Sequence, residues 1–151
     1  IKLGINWCEK LLEGCLSNHS MECHGLIFAG FGFRKYAELE CFLEVLTLMS
    51  NKYKEDGEVI AISTISEKAR YSVFKVLSKE TRLKIISLDI KDITKQKTIS
   101  FSENSMRLYQ TGSLAEASAL AAAGKNSRLL GRRVISTKRT TTCAFAKGLP
   151  E

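Results

Sequence analysis

A chain of 151 residues, 44% hydrophobic and 26% charged with a single proline, is long enough for one domain with a substantial core, and no segment is depleted enough in apolar residues to read as a disordered tail. No apolar run approaches the roughly 20 residues needed to cross a bilayer and no signal-peptide pattern is present, so a cytoplasmic protein is expected. A net charge of +7 at pH 7 points to an anionic partner, and leaves open nucleic acid, an acidic surface or a small polycarboxylate or phosphate.

In chain order, Ile5, Trp7, Leu11, Leu12 and Leu16 have partly helical spacing, which predicts a helical extension over 1–24, packed outside the main domain or against a second subunit and dispensable for ligand binding. His19, Cys23 and His24 near its end fit no common zinc spacing, and no metal is expected. Cys8, Cys15, Cys23, Cys41 and Cys143 are odd in number and form no C-x-x-C pair, so buried thiols are expected rather than a disulfide framework.

The main domain is expected over 25–151. Leu26 to Ala29, an apolar run between Gly25 and Gly30, reads as a buried strand. Leu39, Phe42, Leu43, Leu46 and Met49 recur at helical spacing within an amphipathic helix from Tyr36 to about Tyr53. Asp56-Gly57 turns the chain into a second strand over Val59 to Ile62, and Ser66 caps a helix reaching about Lys79. Leu83 to Leu88 is a third strand, followed by a helical turn from Asp89 to Ile93 and a short helix from Ser102 to Gln110. Ser113 with Glu116 three residues later reads as a capping box that opens a helix from Leu114 to Ala123, ended by Gly124. Arg128 to Ile135 and Thr140 to Ala146 make a closing hairpin around Ser136 to Arg139. Strands alternating with helices predict an α/β fold: a three-layer α/β/α domain with a mixed, mostly parallel sheet and an antiparallel C-terminal hairpin.

Three places offer ligand chemistry. Gly30-Phe-Gly-Phe-Arg-Lys35 lies at the carboxyl end of the first strand, where open α/β sheets bind ligands, so Gly30, Gly32, Arg34 and Lys35 are candidates for an anion site. Lys35 stands where a dinucleotide fingerprint needs a third glycine, which argues against NAD. Ser63 and Thr64 follow the second strand, and their hydroxyls are expected at the same edge, where they either bind a carboxylate or cap the next helix. Thr111, Gly112, Ser113 and Glu116 stand at the start of a helix whose dipole and free N–H groups suit a small polyanion. Behind that helix Lys125, Arg128, Arg132, Arg133, Lys138, Arg139 and Lys147 run without an acidic residue before Glu151. Each feature also has an ordinary structural use: a glycine turn, helix caps and the solvated face of a hairpin. Catalytic patterns are thin, with no G-x-S-x-G elbow and no Cys/His couple apparent from the spacing.

Three stretches in order, Gly30 to Lys35, Thr111-Gly-Ser-Leu-Ala-Glu-Ala-Ser-Ala-Leu-Ala-Ala-Ala-Gly124, and Arg128-Leu-Leu-Gly131 leading to Thr142-Cys-Ala-Phe-Ala146, resemble the CobE proteins of cobalamin biosynthesis and the C-terminal domain of CbiG. The resemblance spans about Gly25 to Gly148 and implies a compact α/β/α domain with a mixed sheet that takes part in making the corrin ring. It implies a tetrapyrrole intermediate bearing acetate and propionate groups as ligand, with no further cofactor and with other cobalamin-pathway enzymes as partners. In full-length CbiG the reaction is hydrolytic opening of a ring lactone with release of acetaldehyde, but that protein has N-terminal regions not matched in this sequence. The first motif departs from the family's usual form, with Phe33 where cysteine is common and Tyr36 where glycine is, which removes thiol chemistry there. The implied role is a stand-alone binder or carrier of a corrin intermediate, with a CbiG-like hydrolase step left open. A regulatory or assembly subunit docking on another pathway enzyme is the alternative; an RNA-binding module fits poorly, since Phe145 is the tail's only aromatic residue.

Overall fold

The computed structural model describes residues 25–148. The expected N-terminal extension, with Met21 and the His19, Cys23 and His24 cluster, lies outside the described residues.

The first strand, β1, runs from Leu26 to Phe33, four residues beyond the apolar run that announces it. It is followed by α1 (Leu39–Lys52), β2 (Glu58–Ile65), α2 (Ser66–Ala69), α3 (Ser72–Thr81) and β3 (Lys84–Leu88). The chain continues through α4 (Ile90–Thr94), α5 (Glu103–Tyr109), α6 (Leu114–Ala123), β4 (Arg128–Leu129), β5 (Val134–Ile135) and β6 (Thr141–Gly148). The strands form one mixed sheet in the order β3-β2-β1-β6-β4, with β5 also paired to β6. β1, β2 and β3 are parallel to one another, and β6 lies antiparallel to β1 along its whole length, from Leu26 opposite Gly148 to Phe33 opposite Thr141. The last strand is therefore interior to the sheet, which accounts for its buried run Cys143-Ala-Phe-Ala146.

The two faces of β1 sort by residue size. Ile27, Ala29, Phe31 and Phe33 point to α1 and α3, where they join Phe42, Val45, Leu46, Met49, Phe74 and Leu77. Phe33 stacks on Phe74 with ring centroids 5.6 Å apart, and Phe31 meets the same ring edge-on at 5.8 Å. Such pairs add to the burial of large apolar area. On the opposite face β1 presents Gly30 and Gly32 to α6, a helix in which every residue from Leu114 to Leu120 is buried. A Cβ on Gly30 would lie 2.1 Å from the Ala115 carbonyl oxygen and 2.4 Å from the Ala119 nitrogen. Glycine in the strand and alanine in the helix together allow their backbones to touch. Ile65, Leu88, Ile93, Leu114 and Ala117 fill the rest of that layer. The three-layer α/β/α architecture expected from the alternation of elements is thus the observed one.

Several expectations shift. Gly30 to Phe33 is strand rather than strand-to-helix turn, because α1 begins only at Leu39, and the turn is Arg34 to Ala37, closed by the Ala37 N–H donating to Arg34 O at 3.0 Å. The helix expected from Ser66 to Lys79 is broken at Arg70 and Tyr71, where Tyr71 adopts extended angles as the N-cap of α3. Ser66 is the first helical residue and not a cap; extended Ile65 holds that place without a side-chain hydrogen bond. The first arm of the hairpin is interrupted: Leu129 faces Ala146 and Val134 faces Cys143, so four residues, Leu130 to Arg133, span the two opposite them and bulge outward. No helix among the described residues is long and apolar enough to cross a membrane.

Candidate functional site

A cleft of about 600 Å³ opens at the carboxyl end of β1, within the size range of small-molecule sites. One wall is the β1–α1 turn with Arg34, Lys35 and Tyr36; the floor is Gly32, Phe33 and Leu114; α2 and α3 contribute Glu67, Lys68 and Tyr71. The opposite wall is α5, with Ser105, Leu108 and Tyr109, and the bulge and hairpin turn close the rim with Arg133 and Arg139. Five cationic side chains therefore surround the cleft against a single carboxylate, Glu67. Among the described residues no acidic side chain forms an ion pair with Arg34, Lys35, Arg133 or Arg139.

Lys68 differs from the rim cations in being held. Its ammonium group donates to the Phe33 carbonyl oxygen and lies 4.8 Å from the Phe33 ring centroid and 5.5 Å from that of Tyr71. Burial lowers its pKa, Glu67 acts in the opposite sense, and the nearby Lys35 and Arg34 lower it further. Burial raises the pKa of the Tyr109 phenol, with Glu67 and Tyr71 adding to the rise. A phenol and an ammonium flanked by aromatic surface supply hydrogen-bond donors to a carboxylate while the rings contact an apolar body.

Of the candidates outside the basic tail, Gly32, Arg34 and Lys35 meet in this cleft. The others lie away from its lining. Gly30 is covered by α6. Because β2 continues to Ile65, Ser63 and Thr64 are inside the sheet: the Ser63 hydroxyl lies 3.1 Å from Ser118 O and 3.3 Å from Ala29 O, and the Thr64 hydroxyl donates to Phe31 O at 2.9 Å. Thr111 and Ser113 are buried, and Gly112 is pressed against the Thr98 hydroxyl and Ser100 O. Of α6 only Leu114, its first residue, lines the cleft, while the residues on either side of it, Ser113 and Ala115, are buried.

The capping box is half made. The Ser113 hydroxyl accepts the Glu116 N–H at 3.2 Å, as a cap should. The Glu116 carboxylate does not return the bond. It is fully buried, and Oε1 accepts the N–H groups of Ile99 at 2.7 Å and Ser100 at 2.9 Å, while Oε2 accepts that of Arg133 at 2.9 Å. Burial raises its pKa, but the hydrogen bonds from Ser100, Arg133 and Ile99 outweigh it and leave the carboxyl below its ordinary value.

Lys68, Tyr71 and Tyr109 were not legible as site residues. Each sits in a stretch that reads as helix, and only the break before α3 and the fold of α5 over the strand ends bring them together. Of the basic tail, Arg133 and Arg139 reach the cleft, whereas Lys138 turns away to pair with Glu38 at 3.3 Å. Among the described residues no group of three or more His, Cys, Asp or Glu is placed to hold a metal ion.

Solved structures of cobalamin biosynthesis proteins share this architecture. The structure is similar to that of CobE, a protein from the cobalamin (vitamin B12) biosynthetic pathway, with a TM-score of 0.75, 24% sequence identity and coverage of 84% of this chain and 93% of that one. It is similar to cobalamin biosynthesis protein ChiG from Agrobacterium tumefaciens str. C58, with a TM-score of 0.63, 22% identity and coverage of 82% and 99%. A cobalamin biosynthesis protein G homologue from Sulfolobus solfataricus gives 0.60 at 21% identity, covering 83% of this chain but 37% of that longer one. At these identities the likeness establishes the fold. No curated protein sequence matches the chain significantly. The family model described as Cobalamin synthesis G C-terminus matches residues 27–146, from the start of β1 to the end of the buried run in β6, and the chain belongs to that family of cobalamin biosynthesis proteins.

Proposed function

We propose that the cleft binds a polycarboxylated tetrapyrrole intermediate of corrin synthesis and that the domain acts as its binder or carrier. The observation that carries this reading is the charge arrangement: five cations to one carboxylate around an open cleft that also carries the aromatic and aliphatic side chains of Phe33, Tyr71, Leu108 and Leu114. A macrocycle edged with acetates and propionates has the complementary form, with anions at the rim and an apolar body between them. Arg34, Lys35, Arg133 and Arg139 take the peripheral carboxylates, while Phe33, Tyr71, Leu108 and Leu114 contact the ring.

The test is an absorbance titration with cobyrinic acid, whose peripheral carboxylates are free, beside its amidated counterpart. The acid should bind more tightly, and the difference should shrink as salt rises. Arg34→Ala should weaken the acid about 10- to 100-fold, as expected for loss of a charge-assisted hydrogen bond, with an unchanged melting temperature because the Arg34 side chain is exposed. Equal affinity for acid and amide, or tighter binding of a short RNA than of either, overturns the reading. Binding only to another pathway enzyme, with no spectral response to the corrin, favours a docking subunit.

A further inference from the structure

Glu116 joins two segments that are far apart in sequence, one leading into the α5 wall of the cleft and one carrying Arg133 of its rim. Oε1 holds the 98–101 loop through the Ile99 and Ser100 N–H groups. That loop leads directly into Ser102, the N-cap of α5, and α5 carries Ser105, Leu108 and Tyr109 into the cleft. Oε2 holds the Arg133 N–H at the end of the bulge between β4 and β5, from which the Arg133 side chain reaches the rim. The 102–112 segment is closed at its base by the Ser102 N–H donating to Gly112 O at 2.7 Å, and Gly112 permits that closeness because a Cβ there would lie 2.7 Å from Ser100 O. α5 buries none of its own residues, and Ile99, Phe101, Met106 and Leu108 are exposed. Of α5 only Tyr109, at its end, packs against the Ile65, Leu88 and Leu114 cluster, so at the start of the helix the polar clasp sets the position of this wall. The bulge is anchored at its start, where Leu130 packs on the core and its N–H donates to Phe145 O at 3.0 Å, but Gly131 to Arg133 leave the strand ladder.

We infer that Glu116 is the positioning residue of the cleft, one buried carboxylate that sets both the α5 wall and the Arg133 rim without touching the ligand. The inference rests on the proposed function only for what the cleft binds; the mechanical coupling stands on the hydrogen bonds alone.

Glu116→Gln tests it, because the amide keeps one acceptor oxygen and places an N–H₂ donor against one of the two clasped segments. Hydrogen exchange at the Ile99, Ser100 and Arg133 amides is read first and needs no ligand. In the variant, protection should fall at whichever side meets the donor, while the amides of β1 stay protected. A double-mutant cycle with Arg133→Ala is read second, with cobyrinic acid as probe. Arg133→Ala should weaken binding roughly tenfold in the native chain and, where exchange shows the Arg133 amide released, less than about twofold in the Glu116→Gln background, since a released Arg133 has little left to lose. Independent, multiplicative effects on binding combined with native protection at all three amides would overturn the inference. If Glu116→Gln fails to fold, Glu116→Asp replaces it, keeping the charge while withdrawing both oxygens by one methylene, with the same two readouts. A native chain that binds no cobyrinic acid refutes the tetrapyrrole reading, and the exchange result then decides the role of Glu116.

Discussion

Gly30→Ala separates a packing glycine from a ligand-loop glycine, and its cost follows from the geometry. The new Cβ would meet the Ala115 carbonyl oxygen at 2.1 Å, the Ala119 nitrogen at 2.4 Å and the Ala119 Cα at 2.9 Å, all of them backbone. Restoring ordinary contact at about 3.4 Å requires strand and helix to separate by the difference, about 1.3 Å. β1 is hydrogen-bonded to β2 on one side and β6 on the other, so α6 must move. That helix is tethered in its turn by the Ser113 cap, by the three bonds to Glu116 and by the Ser63 hydroxyl against Ser118 O. The substitution therefore falls at or beyond the upper end of overpacking costs, about 3 kcal/mol, or roughly 10 °C in melting temperature for a domain of this size. Urea unfolding followed by circular dichroism measures it. Gly32→Ala is the internal comparison: its nearest neighbour is the Thr142 hydroxyl at 2.9 Å, a side-chain atom that can rotate away, so it should cost distinctly less. A Gly30→Ala protein that unfolds within about 1 kcal/mol of the native chain contradicts the close strand–helix contact.

Ser113→Ala should lose roughly 0.5–2 kcal/mol of stability through the missing cap, with corrin affinity little changed because Ser113 is buried away from the cleft lining; calorimetry with a parallel titration checks both. The pH dependence of stability should carry the signature of Glu116. Its folded carboxyl lies below the ordinary carboxylate value of about 4.3, so its contribution is complete above that pH and is lost as pH falls through the lower folded value. The native melting temperature should consequently drop more steeply below about pH 4 than that of Glu116→Gln, whose side chain does not titrate, and parallel curves for the two proteins would remove Glu116 as the source.

The order and type of the main elements were written in local patterns. Period-3.6 apolar spacing marks α1, a short apolar run between glycines marks β1, and Ser113 with Gly124 brackets α6, because these features satisfy backbone groups or bury a face within a few residues. Element ends were harder, since Gly30-Phe-Gly-Phe33 carries both a turn signal and a strand's alternation. Pairing with β6 on one side and β2 on the other decides for strand. The same extension of β2 takes Ser63 and Thr64 from an expected ligand edge into the sheet.

For the candidate site, the sequence by itself determined the chemistry sought, an excess of cations near a Gly-x-Gly strand end, and of the residues it offered Gly32, Arg34, Lys35, Arg133 and Arg139 line the cleft. Only tertiary structure decided which distant groups share the cleft. Lys68 and Tyr71 arrive through a helix break, Tyr109 through a weakly packed α5, and Arg133 through a bulge. Glu116 is the sharpest case. Sequence spacing assigns its carboxylate to the N–H of its own helix cap, but two loops offer it three backbone donors at once. Local spacing counts only the donors within one turn of helix, whereas burial makes every unpaired amide in reach a competitor for the same two oxygens.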